Sequence, residues 1–198
     1  GTDNYGYSGN RDLEPEESNS YEVYTDLNLN ESLILSLRAF KSNIKNNIEY
    51  INNKYQNDID NVDLNQSGLK SELSYKIKDT SVDIFSSILS SKKENGSSQL
   101  RRPEKNYGFS LNRKFNNEYL GIFNLNVSYN HYGKHYDTHS VNFNTIEMDS
   151  TDIVNVNISK RINDKNFYFK ITNLFDENYQ RPHGYNQENR IIKFGIRY

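Results

Sequence analysis

Three histidines, His131, His135 and His139, recur at four-residue intervals. On a helix that spacing would stack three imidazoles on one face and suit zinc or copper. The surrounding residues deny the helix, because Val127 to Tyr132 alternates as a strand and Gly133 interrupts the chain just beyond it. On an extended chain residues four apart share a face but lie ~13 Å apart, too far for one ion. His131 and His135 are therefore read as rim or loop residues that meet an incoming ligand, with metal ligation as the lesser alternative. A second cluster, Asn57-Asp58-Ile59-Asp60-Asn61-Val62-Asp63, alternates oxygen-bearing side chains. Asp58 and Asp60 could hold calcium, yet the stretch lacks the glycine and bidentate glutamate of a twelve-residue calcium loop. A solvated turn is the plainer reading. Glu14, Glu16 and Glu17 bring carboxylates together at the head of a strand, with no base or acid partner beside them. No Ser/His/Asp arrangement, phosphate-cradling glycine loop or cysteine nucleophile occurs. The sequence offers no enzyme and asks for no cofactor.

The elements that must position these residues are strands. The dominant pattern has period two, which gives a strand one apolar and one polar face. Ile192, Phe194, Ile196 and Tyr198 alternate with Lys193, Gly195 and Arg197. Phe167, Phe169 and Ile171 do so in the segment before, as do Val154, Val156 and Ile158, then Phe123, Leu125, Val127 and Tyr129. Tyr107, Phe109 and Leu111 form another row, and Leu69, Leu73, Tyr75 and Ile77 another. Segments 17–29, 32–43 and 80–91 complete about nine strands, with no convincing helix. Two-residue turns are predicted at Asn30-Glu31, Lys78-Asp79, Asn116-Asn117 and Asn163-Asp164, where Asn and Asp suit hairpins. Polar stretches at about 44–60, 92–102, 133–148 and 175–187 read as long loops. Short and long connections alternate, as in an antiparallel up-and-down barrel with all its tight turns on one rim.

Composition sharpens this. The chain has 198 residues, 34% hydrophobic and 25% charged, with 16 Tyr, 10 Phe and no Cys. That is too little aliphatic material for a thick core and too much aromatic for disorder. No run approaches the roughly 18–20 apolar residues of a membrane helix. A net charge of −2 with interspersed signs excludes a basic nucleic-acid footprint. A soluble sandwich, ligand-binding barrel or adhesin module would also alternate, with its apolar face inside. The loop asymmetry and the strand-end aromatics Tyr107, Tyr119, Tyr129 and Tyr198 favour a membrane barrel.

Three passages carry a family resemblance. Asn10, Leu13, Pro15 and Glu16 lie in Gly9-Asn10-Arg11-Asp12-Leu13-Glu14-Pro15-Glu16-Glu17-Ser18, which resembles the Asn-Pro-x-Leu-x-Pro-Glu-x-Ser passage of TonB-dependent outer-membrane receptors, Arg11 standing where Pro is usual. Asn173-Leu174-Phe175-Asp176 with Tyr179 resembles that family's Asn-Leu-Phe-Asp-x-x-Tyr, and Gly184, Tyr185 and Arg190 come after it at similar distances. The closing strand, with Phe194, Ile196 and a terminal Tyr198, resembles the family's signal to the barrel-assembly machinery, although Lys193 replaces a small residue. Fainter echoes at Arg101-Arg102-Pro103 and at Tyr132-Gly133-Lys134 with Asp137 are similar to the cobalamin-receptor-like subgroup, itself associated with calcium in external loops. The resemblance implies that residues 1–198 are the C-terminal part of a receptor barrel, its last nine of 22 strands. Residues 1–16 would be an external loop, 17–198 strands and loops, and the plug domain would lie outside the chain. It further implies residence in the outer membrane of a Gram-negative bacterium, lipid around the strands, and energy from the TonB complex acting through the plug. The ligand would be small and scarce, such as cobalamin, a siderophore or haem, and a passive porin is the remaining alternative.

Overall fold

Alternating side chains leave the backbone free to bond sideways, and the chain does so almost without interruption. The structure, a computed structural model, describes residues 10–53, 56–119 and 121–197, with side chains at 50–53 and 56–58 excepted. Eleven strands run in order: β1 Glu17–Asn30, β2 Leu33–Asn53, β3 Gln56–Ile77, β4 Thr80–Lys93, β5 Lys105–Asn117, β6 Gly121–Tyr132, β7 His135–Thr138, β8 Thr145–Met148, β9 Thr151–Ile162, β10 Lys165–Thr172 and β11 Ile191–Arg197. Nine form one antiparallel meander, β1-β2-β3-β4-β5-β6-β9-β10-β11, and β7 and β8 make a separate hairpin. No helix occurs among the described residues. The expected all-β, nine-stranded, up-and-down architecture is the one observed.

Register fixes which residues share a face. Leu35 lies opposite Leu73, Ile84 opposite Phe109, Leu111 opposite Val127, Val127 opposite Val156, and Phe169 between Ile158 and Phe194. These pairs join into one apolar belt across the sheet. The opposite face carries Glu22, Arg38, Lys70, Glu72, Asn112, Asn126, Asn157 and Lys170, and it is hollowed. A cavity of about 610 Å³ there is lined by Glu22, Arg38, Lys70, Glu72 and Phe85 among others. The apolar belt stays open: Phe169 is 40% exposed and Phe194 85%. Only Leu64 and Ile153 are buried hydrophobic residues among those described. A soluble sandwich would bury the apolar face, and this sheet turns it outward.

Three aromatic rings pack on directly opposing glycines along the polar face. Phe40 covers Gly68, Phe85 covers Gly108 and Tyr168 covers Gly195, each within 3 Å of where a Cβ would stand. At Gly108 an added Cβ would also meet the Tyr129 carbonyl at 2.2 Å.

The structure corrects several expectations. Residues 44–60 are not a loop: β2 and β3 run on to Asn53 and from Gln56 as one long hairpin. Backbone pairing needs no apolar side chain, so the ladder persists after the alternation has faded. The turn expected at Asn30-Glu31 sits at Glu31-Ser32, and that at Asn116-Asn117 lies beyond Asn117, while Lys78-Asp79 and Asn163-Asp164 turn as expected. The stretch 133–148 contains β7 and β8 rather than loop alone. Stretches 92–102 and 175–187 lie largely in connections, at 94–104 and 173–190.

Charge on the apolar belt tests its facing. Phe169→Arg is expected to block assembly into membranes, at a midplane cost of ~2–4 kcal/mol. Heat-modifiable gel mobility reads the outcome, and wild-type assembly of the variant would mean that the belt does not face lipid.

Candidate functional site

All three connections 94–104, 133–150 and 173–190 leave the sheet at one rim, and they meet around one carboxylate. Asp137 on β7 is fully buried. Its Oδ1 accepts Arg101 Nε–H at 2.7 Å from the first connection and the Thr138 backbone N–H at 2.7 Å. Its Oδ2 accepts the His183 backbone N–H at 2.8 Å from the third. Arg101 N–H also donates to the Tyr136 carbonyl at 2.7 Å. Burial pushes the Asp137 carboxyl up, but these three donors outweigh it and hold the group below the usual carboxylate range. A charge that is buried and multiply hydrogen-bonded is a strong tie, because removing any partner leaves another unsatisfied.

The histidines separate under this arrangement. His131 lies on the apolar face at the rim, stacked on Tyr107 with ring centroids 4.3 Å apart, its Nδ1 2.8 Å from Asp152. His135 is buried, with Nδ1 3.3 Å from the Gly133 carbonyl, and burial holds its pKa below the ordinary histidine value. His139 pairs with His183 instead, a residue the spacing never singled out, with ring centroids 4.5 Å apart. The break at Gly133 and Lys134 between β6 and β7 is why the three do not share a face. Together His139 and His183 help line a cavity of about 560 Å³ with Arg101, Phe143 and Tyr185. No group of three metal-ligating side chains converges among the described residues. Asp60 lies on β3 and accepts the N–H of its neighbour Asn61 at 2.8 Å; Asp58 is on the same strand, its side chain outside the described residues.

The motif residues anchor strand ends. Where β1 stops pairing with β2, the Glu16 carboxylate accepts the Ile48 N–H at 2.6 Å in place of a strand. Asn61 locks the approach: its Oδ1 accepts the Glu14 N–H at 2.8 Å, and its amide donates to the Asn46 carbonyl at 2.7 Å. Asn10 donates to the Ile59 carbonyl at 3.1 Å, so the approach segment binds the β2–β3 hairpin throughout, while Leu13 and Pro15 lie between these ties. At the other motif, buried Asn173 takes φ 52°, a left-handed value that Asn tolerates better than most residues. Its side chain accepts the Glu177 N–H at 2.8 Å and donates to the Glu177 carbonyl at 2.8 Å, closing the turn through Leu174 and Phe175. Asp176 then accepts the Arg190 N–H at 2.7 Å, joining the connection's start to its end before β11. Within it, the Tyr179 carbonyl accepts the Gln187 N–H at 3.0 Å. Gly184 has φ 86°, and a Cβ there would meet Ser140 at 2.7 Å, so this contact between connections requires glycine. Phe194 and Ile196 lie on β11, and Tyr198 lies outside the described residues.

A family model described as TonB dependent receptor-like, beta-barrel, matches residues 1–174. No curated protein matches the chain in sequence. Among solved structures, the ferripyoverdine receptor of the outer membrane of Pseudomonas aeruginosa superposes with a TM-score of 0.76 at 17% identity, covering 93% of this chain and 27% of the receptor. The FrpB iron transporter of Neisseria meningitidis gives 0.73 at 12% identity, over 96% and 32%. The ferric yersiniabactin uptake receptor of Yersinia pestis gives 0.71 at 18%, over 91% and 28%. At these identities the likeness is one of fold, and the chain spans about 30% of their length.

The buried tie predicts how the loops respond to substitution and acid. Asp137→Ala should cost on the order of 2 kcal/mol locally by stranding its donors, leaving the strands intact. Amide exchange at Thr138 and His183 should accelerate while exchange along β9 and β10 does not. Acidification should act in two stages. Because burial favours neutral His135, the bonded loop cluster begins to lose stability as pH falls below ~6.5, where a free histidine gains its proton. The Asp137 contribution is complete above ~3.9, the free carboxyl value, and is lost as pH falls through its lowered value in the fold. Protection factors at Thr138 and His183, taken relative to the intrinsic exchange rate at each pH, that stay constant between pH 7 and 3 would refute this.

Proposed function

Since the chain belongs to the TonB-dependent receptor-like β-barrel family, we propose that it forms barrel wall and external loops of an outer-membrane receptor that imports a scarce ligand. Residues 1–198 then make up the C-terminal part of the barrel, residues 1–16 an external loop, and the plug domain belongs to another part of the protein. Lipid covers the apolar belt, the polar face lines the lumen, and the rim holding Asp137 opens outside the cell. Energy comes from the TonB complex pulling on the plug. Phe194, Ile196 and Tyr198 serve as the signal read by the barrel-assembly machinery. The observation that carries this reading is the open apolar belt opposite a charged, hollowed face, the two-faced wall of a barrel with lipid outside and a polar lumen within. The function is capture and passage, and no residue is assigned a catalytic step.

The ligand class we propose is a ferric siderophore. The receptors with which the chain shares its fold are a ferripyoverdine receptor, a ferric yersiniabactin uptake receptor and an iron transporter. Cobalamin, suggested by the echoes around Arg101 and Tyr132, has no such support and becomes the comparison in the test. Uptake by cells expressing the full-length protein, with and without TonB, separates the alternatives. Labelled ferric siderophore at nanomolar concentration should accumulate only with TonB, and labelled cyanocobalamin should not. Accumulation unaffected by TonB loss would mark a passive porin.

A further inference from the structure

The His139–His183 pair has a feature that distinguishes it from a metal site and from a simple packing contact. Each ring already accepts backbone N–H groups at Nδ1. His183 Nδ1 accepts from Ser140 at 3.0 Å, and His139 Nδ1 accepts from Val141 at 3.2 Å and Asn142 at 3.4 Å. A backbone amide can only donate, so Nδ1 carries the lone pair in both rings and the neutral ring holds its proton on Nε2. Both rings line the cavity with centroids 4.5 Å apart, each with an Nε2–H donor, and neither nitrogen of either ring is free to ligate a metal.

The nearby charges narrow the ligand further. Arg101 is committed to Asp137, and Lys93, also at the cavity, is paired with Glu49. The cavity thus presents donors without a large unpaired charge, between the exposed aromatic side chains of Phe143 and Tyr185. The donors are also held in place. The His183 backbone is tied to Asp137, and the turn carrying His139 is closed by His139 N–H to the Asn144 carbonyl at 2.8 Å and Phe143 N–H to the His139 carbonyl at 3.0 Å. Donors fixed before the ligand arrives lose little entropy on binding.

We infer that this cavity binds an oxygen-acceptor chelating group of the ligand, a hydroxamate, whose ferric complex carries no net charge, through the Nε2–H donors of His139 and His183, beside the exposed rings of Phe143 and Tyr185. Oxygens bound to ferric iron keep lone pairs for such donors and bring no proton of their own. The inference rests on the ferric-siderophore reading above and assigns it a place in the loops.

The test uses the full-length receptor in detergent, with ferric acetohydroxamate, a ferric catecholate and cyanocobalamin as probes in equilibrium titrations. Asparagine keeps an acceptor where Nδ1 stands but removes the Nε2 donor, whereas glutamine keeps a donor where Nε2 stands. The double variant His139→Asn with His183→Asn should bind ferric acetohydroxamate about tenfold or more weakly, since each neutral hydrogen bond is worth up to about tenfold. The double variant His139→Gln with His183→Gln should stay within about threefold of wild type. Amide exchange at Ser140 and Val141, unchanged in the asparagine pair, shows that the turn is intact. Undiminished chelate binding by the asparagine pair overturns the site while leaving the ferric ligand class standing. Wild-type binding of cyanocobalamin and of neither ferric chelate overturns both.

Discussion

Every backbone N–H and C=O of an extended strand needs a partner, and in a single-layer sheet the neighbouring strands supply it. That constraint organises this chain more than any side-chain contact. The nine strands pair continuously from β1 to β11, and two buried hydrophobic residues are all the apolar core among those described. The period-two sequence is a direct result, since a sheet bonded in its own plane leaves its two faces free to meet different solvents. Asparagine and serine are admissible at half of all positions for the same reason.

Where the sheet meets the loops the source of stability changes. Burial is concentrated at the rim, and it is mostly polar: Asp137, His135, Thr151, Ser91 and Asn173 are all buried. Connections that lack apolar mass hold their shape by satisfying one another's hydrogen bonds, with Asp137 joining all three and Asn173 closing a turn within the last. The two family motifs use the same device. Glu16 finishes a ladder that β1 no longer reaches, and Asp176 clasps Arg190 just before β11 begins. Polar cross-bracing gives these connections a fixed shape without a hydrophobic anchor.

The sheet was legible in the sequence because alternation and tight turns are local signals. Rows such as Phe167, Phe169 and Ile171 announce their facing without reference to any partner. The long β2–β3 hairpin was not legible, because around Asn57 to Asp63 both faces are polar and a wet strand looks like a wet loop. The site divided along the same line. Asn173 and Asp176 stand out as a compact motif, whereas Arg101, Asp137 and His183 are far apart in sequence and come together only through three connections. The even spacing of His131, His135 and His139 drew attention to the wrong partnership. His183, which packs on His139, lies 44 residues beyond it and belongs to no spacing pattern.

The rings of Phe40, Phe85 and Tyr168 over Gly68, Gly108 and Gly195 bear on a different difficulty. A periodic strand can be misread in phase: a slip of two residues keeps every apolar side chain on its proper face, so facing alone does not oppose it. Such a slip would set Phe85 against Asn106 or Ser110, and Tyr168 against Lys193 or Arg197. A flat ring fits where there is no Cβ and fits badly one period away. These three pairs act as punctuation in an otherwise repetitive text, so that a message built from alternating letters can be read in one frame.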